Sequence, residues 1–149
     1  ELQLPKSASL QKDWFKLAQH AYKSHQELQT LVYLNRALQE TPQALDVLNL
    51  RAKIYQQLKM NQASIHDFEE IIRLTASKLA KGNLSQEWLS QAESAYAQKI
   101  YPQAIACLNK ALSLEPRLKE AYLLRSQAFE HLGNYDLAIE DFTKVLELL

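Results

Sequence analysis

The stretch KEAYLLRSQAFEHLGNYDLAIEDFTKVLELL, residues 119–149, decides the fold. A large apolar residue, Tyr122, is followed by Ser126 and Phe129, and then, past Gly133-Asn134-Tyr135, by Ala138 and Phe142. Steps of three, four and seven residues put side chains on one face of a helix. The stretch therefore reads as two amphipathic helices with Gly133-Asn134-Tyr135 at the turn between them. A small residue on one helix leaves a hole, and a bulky one on its neighbour fills it.

The same pattern occurs three more times upstream. Trp14, Leu48 and Trp88 align with Tyr122; Ala18, Ala52 and Ala92 with Ser126; Ala21, Tyr55 and Ala95 with Phe129. Thr30, Ser64 and Ala104 align with Ala138; Leu34, Phe68 and Leu108 with Phe142; Ala37, Ile71 and Ala111 with Val145. Trp14 and Trp88 each precede a proline, Pro42 and Pro116, by 28 residues. A single helix pair cannot bury its own stripes, so copies in phase stack on one another.

On these residues the chain resembles the tetratricopeptide repeat family. That family repeats a 34-residue helix–turn–helix with the motif Trp-x-x-Leu-Gly-x-x-Tyr, then Ala-x-x-x-Phe, then Pro. The fourth copy matches best. The first matches least, with Glu27 where the family has Tyr and Thr30 where it has Ala. The resemblance implies an all-α, right-handed superhelical array of antiparallel helix pairs, an α-solenoid. It places a single domain at 10–149 behind an N-terminal extension, 1–9. The repeats fall at about 11–44, 45–84, 85–118 and 119–149. Trp14, Phe68, Trp88 and Phe142 are expected core residues.

Between the second and third copies lie six extra residues, within Leu74–Asn83. Ile65, Phe68, Ile71, Ile72, Thr75, Ala76 and Leu79 keep a helical stripe there. The spacing predicts a long helix from about Gln62 to about Ala80, ended by Gly82, with Asn83 or Ser85 capping the next. The insertion is either a plain loop or a change of superhelical pitch. Ser9 is placed to cap the first helix, and Pro102 fits the first turn of its own.

Composition narrows the function. Lys plus Arg and Asp plus Glu both number 17, which argues against binding nucleic acid by phosphate neutralisation. No apolar run reaches the length of about 18 residues that a membrane span needs. The single cysteine, Cys107, excludes an internal disulfide and reads as a small buried helix residue. His20, His25, His66 and His131 show no metal-ligand spacing, and no phosphate loop or nucleophile elbow occurs. No metal, cofactor or enzymatic activity is expected. Asp67, Glu69, Glu70, Glu140 and Asp141 read as solvated helix faces, His66-Asp67 being a poor acid–base pair. Arg51 and Arg125, in equivalent places, read as interface residues pairing with Asp67 and Asp141. The sequence opens at Glu1 without an initiator Met and stops at Leu149 inside an apolar stretch. It reads as a piece of a longer protein. The cytoplasm is the expected compartment, with an exported or anchored location as the alternative.

What remains is binding of a protein or peptide. The resemblance implies that first helices line a concave groove. Its expected contacts are Lys12, Phe15, Gln19 and Tyr22 on the first repeat, Asn49 and Lys53 on the second, Leu89, Glu93 and Tyr96 on the third, and Leu123 and Gln127 on the fourth. The groove would run from basic to acidic. One subfamily grips chaperone C-terminal carboxylates with Lys, Asn and Arg. Here Phe15, Gln19, Leu50, Gln86 and Ser90 stand at those places, so that clamp is absent. The expected function is a non-enzymatic scaffold or co-chaperone-like adaptor. The alternatives are self-association through the open C-terminal helix, where Val145, Leu146, Leu148 and Leu149 want cover, and, remotely, RNA binding.

Overall fold

A computed structural model describes residues 13–76 and 84–149. Eight helices occupy them: α1 (Trp14–Lys23), α2 (Glu27–Glu40), α3 (Leu45–Gln57), α4 (Asn61–Ala76), α5 (Leu84–Ala97), α6 (Tyr101–Leu114), α7 (Lys119–His131) and α8 (Tyr135–Glu147). Consecutive helices pack as antiparallel pairs, α1 with α2, α3 with α4, α5 with α6 and α7 with α8. The fold is an all-α array of helix pairs, as the repeated motif implies.

The small residues make the close approach possible. Ala18, Ala52, Ala92 and Ser126 on the first helices are fully buried, as are Thr30, Ser64 and Ala104 on the second. Where the small residue is polar, its hydroxyl is satisfied. Thr30 Oγ1 donates to the Gln26 carbonyl at 2.7 Å, and Ser64 Oγ crosses the pair to the Ala52 carbonyl at 2.8 Å. Leu34, Phe68 and Leu108 fill the opposing positions and are buried.

Four of the sequence readings need correcting. Phe142 is partly exposed on the outer face of α8 instead of lying in the core, because no further helix covers that face among the described residues. Asp67 and Asp141 are not on solvated faces; both are buried and bound to arginine. Leu89 is buried in the core beside Trp88, not open to a groove. Ser85 lies inside α5 and donates to Glu115 Oε2 at 2.8 Å, so it does not cap the helix. Ser9, Lys12, Leu79, Ala80, Gly82 and Asn83 lie outside the described residues. Pro102 does sit in the first turn of α6.

The step between the second and third pairs differs from the other two. At those two, the second helix of one pair meets the first helix of the next, α2 against α3 and α6 against α7. At the middle step α4 lies against α6 instead. The two run side by side in one direction. Ile65 and Ile105 share a cluster, Asn109 Nδ2 donates to Glu69 Oε1 at 2.6 Å, and Arg73 flanks Lys110 and Ser113. Helix α6 is therefore covered on nearly every side, which accounts for its run of buried Ala104, Ile105, Ala106, Cys107 and Leu108.

Candidate partner-binding cleft

Helix α1 offers Phe15, Gln19, Tyr22 and Lys23, spaced by three to four residues and so aligned on one face. Helix α3 offers Asp46, Asn49, Leu50 and Lys53 on the same principle. These eight residues line one cleft of about 490 Å³. Its floor is apolar: Phe15 and Leu50 are half-buried and rest on the core of the first two pairs. Its rim is polar and carries two cations, Lys23 and Lys53, against one carboxylate, Asp46.

Tyr22 is held rather than free to swing. Gln57 Nε2 donates to its hydroxyl at 3.3 Å, and Lys53 Nζ stands 5.7 Å from its ring centroid. The Asn49 amide is anchored to the Leu45 carbonyl at 2.9 Å. A second cleft of about 610 Å³, lined by Trp14, Thr41, Gln43 and Val47 among others, shares Phe15 and Asp46 with the first. The two adjoin and extend the open surface toward the α2–α3 turn.

Of the expected groove residues, Phe15, Gln19, Tyr22, Asn49 and Lys53 are thus brought together. Glu93, Tyr96, Leu123 and Gln127 lie on α5 and α7 and line neither cleft. Tyr96 is engaged in an aromatic cluster. Its ring meets Tyr101 edge-on at 5.4 Å, its hydroxyl lies 3.1 Å from His131 Nε2, and Tyr101 stacks on His131 at 4.5 Å. Burial, followed by the charges of Tyr101 and Glu130, raises the Tyr96 hydroxyl above its usual range. The cleft residues Lys23 and Asp46 follow from the helical spacing. Leu50 is harder to pick out, since a half-buried leucine reads as core.

The remaining reactive side chains are committed elsewhere. His66 is exposed and its Nδ1 lies 3.9 Å from Asp67 Oδ1, but that carboxylate receives both Nε and Nη2 of Arg51, at 2.8 and 2.6 Å. Burial pushes the Cys107 thiol up to about 11, so it stays protonated at neutral pH. Among the described residues, no three His, Cys, Asp or Glu are grouped to hold a metal, and no helix is long and apolar enough to cross a membrane.

Residues 45–78 and 89–148 each match a family model described as tetratricopeptide repeat. Human tetratricopeptide repeat protein 16 is 26% identical over 77% of this chain, which spans 14% of that protein. Human general transcription factor 3C polypeptide 3 is 30% identical over 75% of this chain, which spans 12% of it. The chain thus covers a small part of these relatives. Among solved structures, the crystal structure of MamA is similar at 17% identity, covering 93% of this chain and 77% of that one with a TM-score of 0.46.

Proposed function

This chain belongs to the tetratricopeptide repeat family, and we propose that it is a non-enzymatic interaction scaffold whose α1–α3 cleft receives a partner peptide. The observation that carries the reading is the convergence of an apolar floor, Phe15, Tyr22 and Leu50, with a cationic rim, Lys23 and Lys53. A preformed apolar cleft with a few placed polar groups is the usual form of a peptide or ligand site. Here it fits a peptide with one bulky apolar side chain beside an acidic one.

The same residues argue against a terminal carboxylate as ligand. The positions where a clamp would place Lys and Asn hold Phe15, Gln19 and Leu50, none of them cationic. Lys23 and Lys53 lie at the rim, where they reach a side-chain carboxylate on a peptide passing through.

An array of short peptides pairing one apolar residue with one acidic residue tests this. The best binder should lose about tenfold or more in affinity on Phe15→Ala or on Lys53→Glu, with the helical fold retained by circular dichroism. It should bind equally as a free acid and as a C-terminal amide. Equal affinity for the wild type and both variants would refute the cleft as the site.

A further inference from the structure

The two halves of the chain are related by a shift of 74 residues, and the relation extends to their contacts. Asn35, Arg51 and Asp67 form a hydrogen-bonded chain across α2, α3 and α4; Asn109, Arg125 and Asp141 form the same chain across α6, α7 and α8. Tyr22 is bonded to Gln57, and Tyr96 meets His131. Residues 13–76 and 84–149 are thus two copies of one structural unit. Among the described residues they meet chiefly along the seam of α4 and α6, and Ile65 of α4 also shares a cluster with Phe129 of α7 and Leu137 of α8.

Each half of that seam recurs once, uncovered by any other described residue. On α4 the seam residues Ile65, Phe68 and Ile72 are at most 9% exposed. Their equivalents on α8, Ile139, Phe142 and Leu146, are 62, 38 and 69% exposed, with Tyr135 beside them at 63%. On α6 the seam buries Pro102 and Ala106. Their equivalents on α2, Leu28 and Val32, are 71 and 48% exposed. Among the described residues, an α4-type face on α8 and an α6-type face on α2 are therefore left exposed.

Charge favours pairing these faces. Inside the chain Arg73 and Lys110 line one cleft along the seam, with Arg73 paired to Glu70. The equivalent pair between copies is Glu147 on α8 and Arg36 on α2, of opposite sign and both exposed; each now faces a partner on its own helix, Lys144 at 3.3 Å and Glu40 at 3.9 Å, which it would share across the contact. Opposite charges across an interface favour the correct register and disfavour others.

We infer that α8 of one copy packs on α2 of a second copy, side by side in one direction, repeating the internal α4–α6 seam between molecules. The contact is head-to-tail, so it leaves a free α2 face at one end and a free α8 face at the other, and it propagates. It leaves the α1–α3 cleft open and does not depend on what that cleft binds.

Sedimentation velocity over a concentration series, up to roughly 1 mM, tests this on the whole chain and two exposed-face variants. One is Leu28→Glu with Val32→Glu; the other is Ile139→Glu with Leu146→Glu. Circular dichroism checks that both fold. The wild type should grow beyond a dimer with concentration. Each variant alone should stay monomeric, and an equal mixture of the two should form a dimer and stop, because only one intact α2 face and one intact α8 face remain. Three results would each overturn the inference: a wild type that stays monomeric throughout, an α2 variant that still dimerises by α8 against α8, or a mixture that does not associate.

Discussion

Arg51 and Arg125 do at the residue scale what the small residues do for packing: each ties three helices together. Arg51 presents Nε and Nη2 to the two oxygens of Asp67 and Nη1 to Asn35 Oδ1, at 2.9 Å for the last, and its guanidinium lies 5.6 Å from the Tyr55 ring. The Asp67 hydrogen bond is the largest influence holding the Arg51 guanidinium above its ordinary range, against the opposing effect of burial. A fork-to-fork arginine–carboxylate pair of this kind is strong when both partners are present and costly when one is removed. Asp67→Ala should therefore lower the unfolding free energy by about 3 kcal/mol in a urea titration. Replacing Arg51 and Asp67 together by apolar residues should cost far less, since no buried charge is stranded. The arginine–aspartate pairing was legible in the sequence from the equivalent spacing. The asparagines were not, because their bonds join a third helix that sequence neighbours do not reveal.

Among the elements, the turns inside the helix pairs share one geometry that the sequence shows only once. His25, Lys59, Lys99 and Gly133 all have positive φ, between 57° and 76°. At each, the following residue's N–H reaches back to a helix carbonyl five residues earlier: Gln26 to Ala21, Met60 to Tyr55, Ile100 to Ala95 and Asn134 to Phe129. This is the Schellman closure of a helix, for which glycine is favoured. Gly133 announces it, whereas lysine and histidine carry no such signal, so three of the four turns were hidden. An L-residue held there is strained by about 1 kcal/mol. Lys59→Gly and Lys99→Gly should each raise the melting temperature, and Gly133→Ala should lower it. A Cβ at Gly133 meets nothing within 4 Å, so the loss there comes from the backbone alone.

For the whole molecule, the periodicity specified helix pairs and their small-into-large packing almost position by position. It could not specify the middle step. The stripe through Ile65, Phe68 and Ile72 showed that α4 must be covered, but an apolar stripe does not say by which helix, and it is α6 that lies against it. The same limit explains the cleft. Only the residues on α1 and α3 come together in it, and Leu89 is drawn into the core that α5 shares with α6. The central claim is that a partner peptide is recognised by that cleft, whereas the end faces serve only contacts between copies of this chain. It is tested most directly by affinity capture from an extract of the cells that make the protein. The baits are the wild type, a Phe15→Ala/Lys53→Glu variant and the Ile139→Glu/Leu146→Glu variant, each verified to be folded. The account predicts a partner held by the wild type and the α8 variant and lost by the cleft variant. A partner held by the cleft variant and lost by the α8 variant would contradict it.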